Sequence, residues 1–512
     1  MRTLDQPTAI AAWLQERVQG TLQSDSRRLQ SGDGFVAWPG AATDGRRFVA
    51  GALAAGAAAA LVEREGLDVF GIADERVLVV PGLKALAGPI ASAFFGEPSA
   101  ALEMVAVTGT NGKTSCAWWT AQLLSALGRP CAVVGTLGMG QPPTARAPAA
   151  PLVPAGLTTP DPVTLQANLR QMVDGGVSAC AIEASSIGLV EARLNATRLR
   201  VAVFTNFTQD HLDFHGSMDA YWAAKAMLFD WPGLSSAVIN LDDAKGEELV
   251  QRVRARGIDV WTVGFEGAAA VPRLSAAGVA VTRQGMRMTV VERDTAGVVV
   301  ASHPLSLPLV GRYNLSNLLC VLGAARALGW PLADAVHACG QLTPVPGRME
   351  QVPAGAELPL VLVDYAHTPD ALEKALQALQ PLARQRGGSL WVVIGCGGDR
   401  DAGKRPLIAA VAERDAAQVV LTSDNPRSED PMLILQQMQA GLAQADRALV
   451  EVDRAQAIAI AIQRALPGDV VLIAGKGHED YQEIQGSKRP FSDSDKAAAA
   501  LARRAQPQGA DA

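Results

Sequence analysis

A glycine-containing loop between an apolar strand and a helix constrains the fold of this chain more than any other feature. Met104–Val107 is a short apolar run, residues 108–114 read T-G-T-N-G-K-T, and Ser115–Leu127 has helical character up to Gly128 and Pro130. Glycines let the backbone turn tightly, so that several N–H groups can point at one phosphate. The lysine adds a cation, and the helix N-terminus adds the positive end of its dipole. The segment therefore predicts a phosphate loop.

The spacing of this loop differs from the common GxxxxGK[ST] pattern, because position 107 is valine rather than glycine. A glycine-rich turn that caps an ordinary helix is the alternative interpretation. The strand before the loop and the helix after it favour nucleotide binding, with the hydroxyl of Thr114 on Mg²⁺. The residues predicted to hold the nucleotide are Gly109, Thr110, Asn111, Gly112, Lys113, Thr114 and Ser115. Phosphate loops serve many reactions, so the chemistry has to be inferred from other segments.

The rest of the chain alternates between strand-like and helix-like segments, as parallel sheets covered by helices on both faces do. Its 512 residues are too many for one ordinary domain. We expect an α/β protein of three domains: a small α/β domain (1–98), a P-loop-type parallel-sheet ATPase domain (99–341) and a Rossmann-like α/β domain (342–512). The β-rich stretch Val279–Val300 interrupts the alternation, and the Pro-, Ala- and Gly-rich stretch Gly138–Gly156 predicts an exposed loop.

The composition argues against several classes of function. The 45 basic and 51 acidic residues give a formal charge of -6, which does not suit a general nucleic-acid or membrane-surface binder. The six cysteines form no CxxC pair and fit reduced thiols better than disulfides or a zinc site. The N-terminus lacks a signal-peptide core, and the apolar runs are too short to span a bilayer. We therefore expect a cytoplasmic protein with small-molecule partners.

Seven short motifs, taken in order, resemble those of a known family. They are T-G-T-N-G-K-T (108–114), E-A-S-S (183–186), T-N-F-T-Q-D-H-L-D-F-H-G (205–216), G-R-Y-N-L-S-N (311–317), P-G-R-M-E (346–350), D-Y-A-H-T-P (364–369) and G-K-G-H-E (475–479). The ordered set covers nearly the whole chain and is similar to the Mur ligases of bacterial cell-wall synthesis and their relative folylpolyglutamate synthase. The resemblance implies three domains and an ATP-dependent ligation, in which a carboxylate becomes an acyl phosphate and is then attacked by an amine.

The resemblance also implies a magnesium-dependent catalytic centre beside the phosphate loop. The implied metal-binding residues are Thr114, Glu183, His211 and Lys225, and the implied catalytic residues are Lys113, His211 and Lys225. Lys225 would act as a carbamate, whose formation needs a neutral amine and hence a depressed pKa. Asp210 and His211, at the end of another strand, would orient a second metal ion, whereas His215 is expected to be structural. Taken alone, Glu183 also fits a buried structural carboxylate, and Lys225 fits a solvated helix lysine.

Residues outside the loop complete the nucleotide site that the resemblance implies. Asn314 and Asn317 would contact the adenine side, with simple helix capping as the alternative. Arg348, Asp364 and His367 belong to the third domain and are expected to reach the ATP when the domains close. Such closure would also exclude water from the acyl phosphate.

The N-terminal segment S-D-S-R-R (24–28) is similar to the uridine-nucleotide domain of two late-acting family members. These members add the third peptide residue and the D-Ala-D-Ala dipeptide. The residues implied to bind a UDP-muramoyl dipeptide are Ser24, Ser26, Thr158, Thr159, Ser185, Glu191 and Arg193. The chain departs from the family pattern at two positions: Ile187 stands where histidine is frequent, and Glu191 stands where glutamine is frequent.

The tetrapeptide D-N-P-R (424–427) discriminates between members of the family, because in the third-residue ligases it is associated with meso-diaminopimelate rather than lysine. Diaminopimelate has a second amino-acid head, and the planar fork of Arg427 suits the extra carboxylate. A β-turn with proline at its third position is the alternative for the tetrapeptide alone. The implied amino-acid pocket consists of Arg400, Asp424, Asn425, Pro426, Arg427, Gly475 and Glu479.

These inferences favour a monomeric ligase that uses ATP and Mg²⁺ to join meso-2,6-diaminopimelate to UDP-N-acetylmuramoyl-L-alanyl-D-glutamate. A D-Ala-D-Ala-adding ligase and a folylpolyglutamate-type enzyme are alternatives, although D-N-P-R and the threonine pair at 158–159 argue against both. A non-catalytic nucleotide-binding module, or a P-loop switch or motor, is a different class of protein. Such a protein would tolerate alanine at Lys225 and Arg427.

Overall fold

A computed structural model describes residues 2–40, 43–144, 152–267, 271–282, 285–355 and 357–505. Its strands form three large sheets and a two-stranded hairpin. Six clusters of buried apolar residues lie on the two faces of the three large sheets. The chain is therefore an α/β protein with three domains, as its alternating pattern predicted.

The N-terminal domain contains a parallel sheet with the strand order β1-β5-β4-β3-β2. The strands are β1 (Arg2–Thr3), β2 (Leu22–Gln23), β3 (Gly34–Ala37), β4 (Ala59–Glu63) and β5 (Val77–Val80), and the helices are α1 (Pro7–Gln15), α2 (Val49–Ala54) and α3 (Leu83–Phe94). Proline begins α1, where a missing N–H costs nothing, and Ile10, Trp13 and Leu14 form its buried stripe. Val163 of the next domain joins this core, so the two domains pack directly against each other.

The central sheet has ten strands in the order β15-β14-β13-β12-β11-β10-β6-β9-β7-β8. The strands are β6 (Glu103–Thr108), β7 (Cys131–Gly135), β8 (Gly138–Gly140), β9 (Ala179–Glu183), β10 (Val201–Phe204), β11 (Ser236–Asn240), β12 (Asp259–Phe265), β13 (Leu274–Thr282), β14 (Gly285–Arg293) and β15 (Val299–Leu307). The helices are α4 (Lys113–Ala126), α5 (Pro162–Asp174), α6 (Ser186–Val190), α7 (Leu212–His215), α8 (Met218–Ala226), α9 (Lys245–Arg254), α10 (Arg312–Ala327) and α11 (Leu332–Ala338).

Alternation along the central strands distributes apolar side chains to both faces of the sheet. In β6, Val105 and Val107 face the cluster formed with α4 and α10, whereas Met104 and Ala106 face the cluster formed with α5, α8 and α9. Strands β9, β6 and β10 are neighbours and parallel, so their carboxyl ends meet at one edge. Ligands bind at this edge in open α/β sheets, and the motif residues that follow the three strands gather there.

Of two local predictions about the central domain, one was confirmed and one was wrong. The β-rich stretch interrupts the alternation of strands and helices, because β13, β14 and β15 follow one another with no helix described between them. Strand β13 pairs in parallel with β12, and β14 and β15 extend the sheet with antiparallel pairing. The segment predicted as an exposed loop begins with strand β8, whose Met139 is buried and exchanges backbone hydrogen bonds with Val153. A three-residue strand that begins and ends with glycine has no detectable periodicity, and only its tertiary partner reveals it. Residues 145–151 of the segment lie outside the described residues.

The third domain has a six-stranded sheet in the order β16-β17-β21-β18-β19-β20, parallel except for the β16–β17 pair. The strands are β16 (Glu350–Val352), β17 (Leu360–Asp364), β18 (Leu390–Ile394), β19 (Gln418–Leu421), β20 (Leu449–Val450), β21 (Val470–Ala474) and the hairpin strands β22 (Tyr481–Ile484) and β23 (Ser487–Pro490). The helices are α12 (Pro369–Gln385), α13 (Lys404–Asp415), α14 (Pro431–Gln439), α15 (Arg454–Arg464) and α16 (Asp493–Ala505).

Candidate active site

The predicted phosphate loop forms the turn between β6 and α4, and both of its glycines are sterically required. Their φ angles are 149° at Gly109 and 86° at Gly112, a region that side chains disfavour. A Cβ on Gly109 would lie 1.9 Å from Thr205 Oγ1, and one on Gly112 would lie 2.3 Å from Asn317 Oδ1. Thr205 Oγ1 also donates a hydrogen bond to the carbonyl of Asn111 at 2.6 Å. The loop is therefore contacted by a residue that follows β10 and by a residue within α10.

The amino groups of two lysines converge on the phosphate loop. Lys113 Nζ donates to the carbonyls of Gly109 and Thr110 at 2.9 and 2.8 Å, and Lys225 Nζ donates to the same Gly109 oxygen at 2.8 Å. Lys225 is only 1% exposed and lies 4.4 Å from the ring centre of Tyr221. Burial lowers the pKa of both lysines, and the charge of Lys113 further depresses the pKa of Lys225. Lys225 is therefore not a solvated helix lysine, and its surroundings favour a neutral amine.

Thr114 and Glu183, both predicted to bind metal, are adjacent. Glu183 ends β9 and is buried, and its Oε2 accepts a hydrogen bond from Thr114 Oγ1 at 3.0 Å. The Thr136 N–H donates to Oε1 of the same carboxylate at 2.7 Å. Arg348 of the third domain donates from Nη2 to Thr114 Oγ1 at 3.0 Å. A strand-end carboxylate, a helix-start hydroxyl and a guanidinium from another domain thus meet beside the phosphate loop.

Asp210 and His211 lie in the loop between β10 and α7 rather than at the end of the strand, which corrects the predicted position. Burial alone would raise the pKa of Asp210, but His211, His367 and Lys404 together hold the pKa well below its usual range. Lys404 Nζ donates to Asp210 Oδ1 at 2.8 Å. Burial lowers the pKa of His211 to about 4, so its imidazole is neutral near pH 7.

His215 has the structural position that the sequence predicted for it. Its Nε2 lies 3.0 Å from Ser186 Oγ, and its ring packs against Tyr221 with the ring centres 5.1 Å apart. Tyr221 in turn contacts Thr110 Oγ1 of the phosphate loop through its hydroxyl at 3.2 Å. The histidine therefore supports the helix that carries Lys225.

The third domain contacts the phosphate-loop region at further points that the sequence did not indicate. Asp370, in the first turn of α12, accepts hydrogen bonds from Asn111 Nδ2 at 3.2 Å and Thr208 Oγ1 at 3.3 Å. Lys404, the first residue of α13, pairs with Asp210. Both residues begin helices and look like ordinary helix-end charges in the sequence. Only their positions across the domain boundary show that they approach the candidate active site.

The two asparagines of G-R-Y-N-L-S-N lie inside α10 and do not cap it. Asn317 is buried with its Oδ1 against Gly112. Asn314 is also buried, and its Nδ2 donates to the carbonyl of Val310 at 2.8 Å. The helix begins at Arg312, after a glycine with no side chain to cap it. Asn317 therefore touches the phosphate loop itself, and the capping alternative is wrong.

Asp364 and His367 lie beside the turn that carries the arginine of P-G-R-M-E. The carboxylate of Asp364 accepts hydrogen bonds from the N–H groups of Met349 and Ala366 at 2.7 and 2.8 Å. Burial raises the pKa of Asp364. His367 is exposed, and its Nδ1 lies 2.7 Å from the backbone carbonyl two residues earlier. In this arrangement Asp364 fixes the backbone of the arginine turn.

Four of the residues predicted to bind the UDP substrate form one hydrogen-bonded group. Thr159 Oγ1 donates to the carbonyl at the end of β9 at 2.7 Å and lies 2.9 Å from Ser185 Oγ. Arg193 Nη1 donates to the Thr159 carbonyl at 3.1 Å, and Thr136 donates to Thr158 Oγ1 at 3.2 Å. Because the end of β9 is Glu183, this group adjoins the carboxylate beside the phosphate loop.

The other three residues predicted to bind the UDP substrate lie at or beyond the boundary with the N-terminal domain. Glu191 forms a 2.7 Å ion pair with Lys84 in α3. Ser24 and Ser26 follow β2 and are partly exposed. The departure at Glu191 thus places a carboxylate in a contact between the two domains.

The D-N-P-R loop follows β19 at the carboxyl edge of the third sheet, as predicted. Arg427 has a φ of 52°, and its Nη1 donates to the carbonyl of Gly398 at 2.8 Å. Its Nε lies 3.5 Å from Glu483 Oε2. The Pro426 carbonyl would lie 2.0 Å from a Cβ on Gly398, so the loop after β18 packs closely against this one. Arg400 is on that facing loop and is exposed.

The G-K-G-H-E loop, which follows β21, contacts the D-N-P-R loop. Asp424 Oδ2 would lie 2.6 Å from a Cβ on Gly475, whose φ is 113°. Asn425 Nδ2 donates to Glu479 Oε2 at 2.8 Å. The predicted amino-acid residues of these two loops are therefore together, whereas Arg400 lies on the neighbouring loop after β18. Lys476, which the sequence did not single out, is buried between Asn425 and Glu479.

The side chains beside the phosphate loop can be compared with the donors that Mg²⁺ prefers. Among the described residues, no group of three or more histidine, cysteine, aspartate and glutamate side chains is arranged to hold a metal. Mg²⁺ usually takes one or two protein carboxylates and completes its octahedron with phosphate oxygens and waters. The adjacent Thr114 and Glu183 fit that donor set, since both border the loop predicted to hold phosphates.

Two further findings concern the whole described chain. None of its helices has the length and apolar character that crossing a membrane requires. All six cysteines are free and buried.

Three sequence families match the chain in the order of its domains. The Mur ligase family, catalytic domain, matches residues 21–95; the Mur ligase middle domain matches 107–325; and the Mur ligase, glutamate ligase domain, matches 347–477. The chain belongs to the Mur ligase family, whose members are ATP-dependent amide ligases.

Its relatives are similar over their full length. A UDP-N-acetylmuramoyl-L-alanyl-D-glutamate--2,6-diaminopimelate ligase of Acidovorax sp. is 54% identical, covering 98% of this chain and 99% of the relative. The enzyme of the same name from Pseudomonas aeruginosa is 46% identical, covering 94% of each. A solved structure of a ligase with that name is 35% identical, covers 95% of both chains and has a TM-score of 0.63.

A more distant solved structure shows that the fold is shared beyond these relatives. Mycobacterium tuberculosis folylpolyglutamate synthase, complexed with ADP and AMPPCP, is 21% identical and covers 83% of this chain and 96% of its own, with a TM-score of 0.59.

Proposed function

We propose that this chain uses ATP to join meso-2,6-diaminopimelate to the D-glutamate of UDP-N-acetylmuramoyl-L-alanyl-D-glutamate, a step in peptidoglycan precursor synthesis. The arrangement of the D-N-P-R and G-K-G-H-E loops carries the choice of amine. Arg427 offers a guanidinium for a carboxylate, and Glu479 and Asp424 offer carboxylates for an ammonium group. The second amino-acid head of diaminopimelate carries both a carboxylate and an ammonium group, so it needs both the guanidinium and the carboxylates. The side-chain end of lysine carries only an ammonium group, so it needs only the carboxylates.

The first chemical step in this proposal occurs at the phosphate loop. Lys113 binds the β- and γ-phosphates, and Asn314, Asn317, Arg348, Asp364 and His367 complete the ATP site. Thr114, Glu183, His211 and carbamylated Lys225 would hold Mg²⁺, which when bound offsets the charge of the phosphates. The D-glutamate carboxylate attacks the γ-phosphorus, ADP leaves, and an acyl phosphate forms. Cations beside the γ-phosphate reduce the repulsion between these two anionic reactants.

The second step joins the amine to the activated carboxylate. An unprotonated amino group of diaminopimelate attacks the acyl carbon, the amide bond forms, and phosphate leaves with the bonding electrons. The contacts from Arg348, Asp370 and Lys404 to the central domain support closure of the third domain over the acyl phosphate. Closure protects the acyl phosphate from water until the amine attacks.

Substrate-side residues follow from the same proposal. Ser24, Ser26, Thr158, Thr159, Ser185, Glu191 and Arg193 would bind the UDP-muramoyl dipeptide, and Arg400, Asp424, Asn425, Pro426, Arg427, Gly475 and Glu479 would bind diaminopimelate. We propose domain limits of 1–98, 99–341 and 342–512 and a monomeric cytoplasmic enzyme.

A ligation assay with three amines tests the proposed function. ADP release would be measured with the UDP-muramoyl dipeptide and meso-diaminopimelate, L-lysine or D-Ala-D-Ala. We expect release only when the dipeptide and diaminopimelate are both present, and a product heavier by one diaminopimelate minus water. Equal turnover with lysine would refute the role assigned to Arg427. Turnover with D-Ala-D-Ala but not with diaminopimelate would refute the assigned reaction.

A further inference from the structure

Lys476 is a buried ammonium group that the proposed reaction does not use. It lies in the turn between β21 and β22, is 0% exposed, and contacts two side chains of the proposed amino-acid pocket. Its Nζ donates to Asn425 Oδ1 at 3.0 Å and to Glu479 Oε2 at 2.9 Å. Because a buried charge is costly unless it is paired and hydrogen-bonded, the position of Lys476 depends on these two partners.

The contacts of Lys476 leave the Glu479 carboxylate half engaged. Oε2 accepts from both Lys476 Nζ and Asn425 Nδ2. Within the described ranges, the hydrogen bonds that the protein donates to this carboxylate end on Oε2. The two hydrogen bonds to Oε2 fix the orientation of the carboxylate. The other oxygen, Oε1, can accept a hydrogen bond from a ligand.

Lys476 also connects two loops that do not follow neighbouring strands. Asn425 belongs to the loop after β19 and Glu479 to the loop after β21, and β18 lies between these strands. Asn425 Oδ1 additionally accepts from the Glu483 N–H at 2.9 Å. The ammonium group therefore contributes to the separation between Glu479 and Arg427, the latter being two residues beyond Asn425.

We propose that Lys476 is a positioning residue for the amine substrate. It orients Glu479 so that the free oxygen receives the ammonium group of an amino-acid head, and it holds the loop of Arg427 where the carboxylate of that head binds. Lys476 itself does not touch the substrate. This inference rests on the proposed function and adds a residue that determines how its amine is selected.

Substitution by methionine removes the charge while keeping a similar length and volume. For Lys476→Met we expect the KM for diaminopimelate to rise about 10- to 100-fold, because a charge-assisted hydrogen bond that orients the carboxylate is lost. The KM values for ATP and the UDP-dipeptide should not change. Lys476→Gln, which retains a hydrogen-bond donor, should give a smaller rise and provides a second, more conservative variant. The matched control is Lys496→Met, an exposed lysine of α16 in the same domain.

A double-mutant cycle with Glu479→Gln separates positioning from general destabilisation. If Lys476 acts through Glu479, adding Lys476→Met to Glu479→Gln should raise the KM for diaminopimelate far less than it does alone. Additive effects, an equal rise in the KM for ATP, or an unchanged KM for diaminopimelate would overturn the inference. If the unaltered chain does not ligate diaminopimelate at all, the proposed function fails instead.

Discussion

A fully buried ion pair supports both loops of the proposed amino-acid pocket. Arg454 begins α15 and Asp493 begins α16, and both side chains are 0% exposed. Two hydrogen bonds of 2.7 Å join them, from Nε to Oδ1 and from Nη2 to Oδ2. Arg454 also donates to the carbonyls of Ser423 at 3.2 Å and Ala474 at 2.9 Å. These carbonyls immediately precede D-N-P-R and G-K-G-H-E, so the pair anchors both loops.

Asp493→Ala should destabilise the third domain strongly. The substitution leaves the Arg454 guanidinium buried with two carbonyl partners and no counterion, and breaking a buried pair in this way costs about 3–5 kcal/mol. Loss of a negative charge from the first turn of α16 adds about 0.3–1 kcal/mol. Asp495→Ala is the matched control, because this exposed residue lies in the same turn and shares only the smaller effect.

Hydrogen exchange at increasing urea concentrations, followed on the full chain, measures the stability of the third domain separately from that of the other two domains. Peptides from residues 454–505 should lose protection at lower urea in Asp493→Ala than in the control. The double variant Arg454→Met with Asp493→Leu should recover much of the loss, since an apolar pair of similar volume replaces the ions. If Asp493→Ala differed from the control by less than about 1 kcal/mol, a value typical of an exposed pair, the reasoning would be wrong.

Three further predictions concern the site and its pH dependence. Lys225→Ala should lower the turnover number by about 10²–10³-fold without loss of ATP binding, because it removes an electrostatic group from the catalytic centre. The rate of ADP release measures this effect, with Lys488→Ala as the control. An unchanged turnover number would contradict the role assigned to Lys225. Arg427→Lys should raise the KM for diaminopimelate about 10-fold and leave the KM for ATP unchanged, since it keeps a charge but loses the fork. An unchanged KM for diaminopimelate would show that the fork does not select the amine. Burial lowers the pKa of His478 from 6.5 to about 4. The unfolded chain therefore binds more protons in this range, and the free energy of unfolding should fall as pH drops from 6.5 towards 4. The free energy of unfolding should fall less over this pH range in His478→Gln than in the unaltered chain. Urea titrations at several pH values measure this, and the same dependence on pH in both proteins would contradict the prediction.

Local sequence information was sufficient for the elements and for the loops that end them. Apolar runs such as Ala179–Glu183 and Val201–Phe204 are buried on both faces, and that composition is visible in the sequence. The tight turn of the two glycines and the contacts of Lys113 with Gly109 and Thr110 are local, which is why the phosphate loop could be predicted. The close approach of Thr205 and Asn317 to these glycines could not be predicted, because both residues are distant in the chain. Strand β8 was missed because a three-residue strand that begins and ends with glycine carries no periodicity. The position of β13–β15 within the sheet was not predicted, because strand order depends on distant partners.

The sequence by itself determined the α/β class, the positions of the phosphate and amino-acid loops, and the kinds of charged groups that they carry. Only the tertiary structure decided which charges meet: Lys404 and Asp210 are 194 residues apart, and Lys225 and Gly109 are 116 apart. It also decided that Lys225 and Lys476 are buried. A lysine has the same identity in water and in a core, but its pKa and its role depend on desolvation and on partners that only packing brings within a few ångströms.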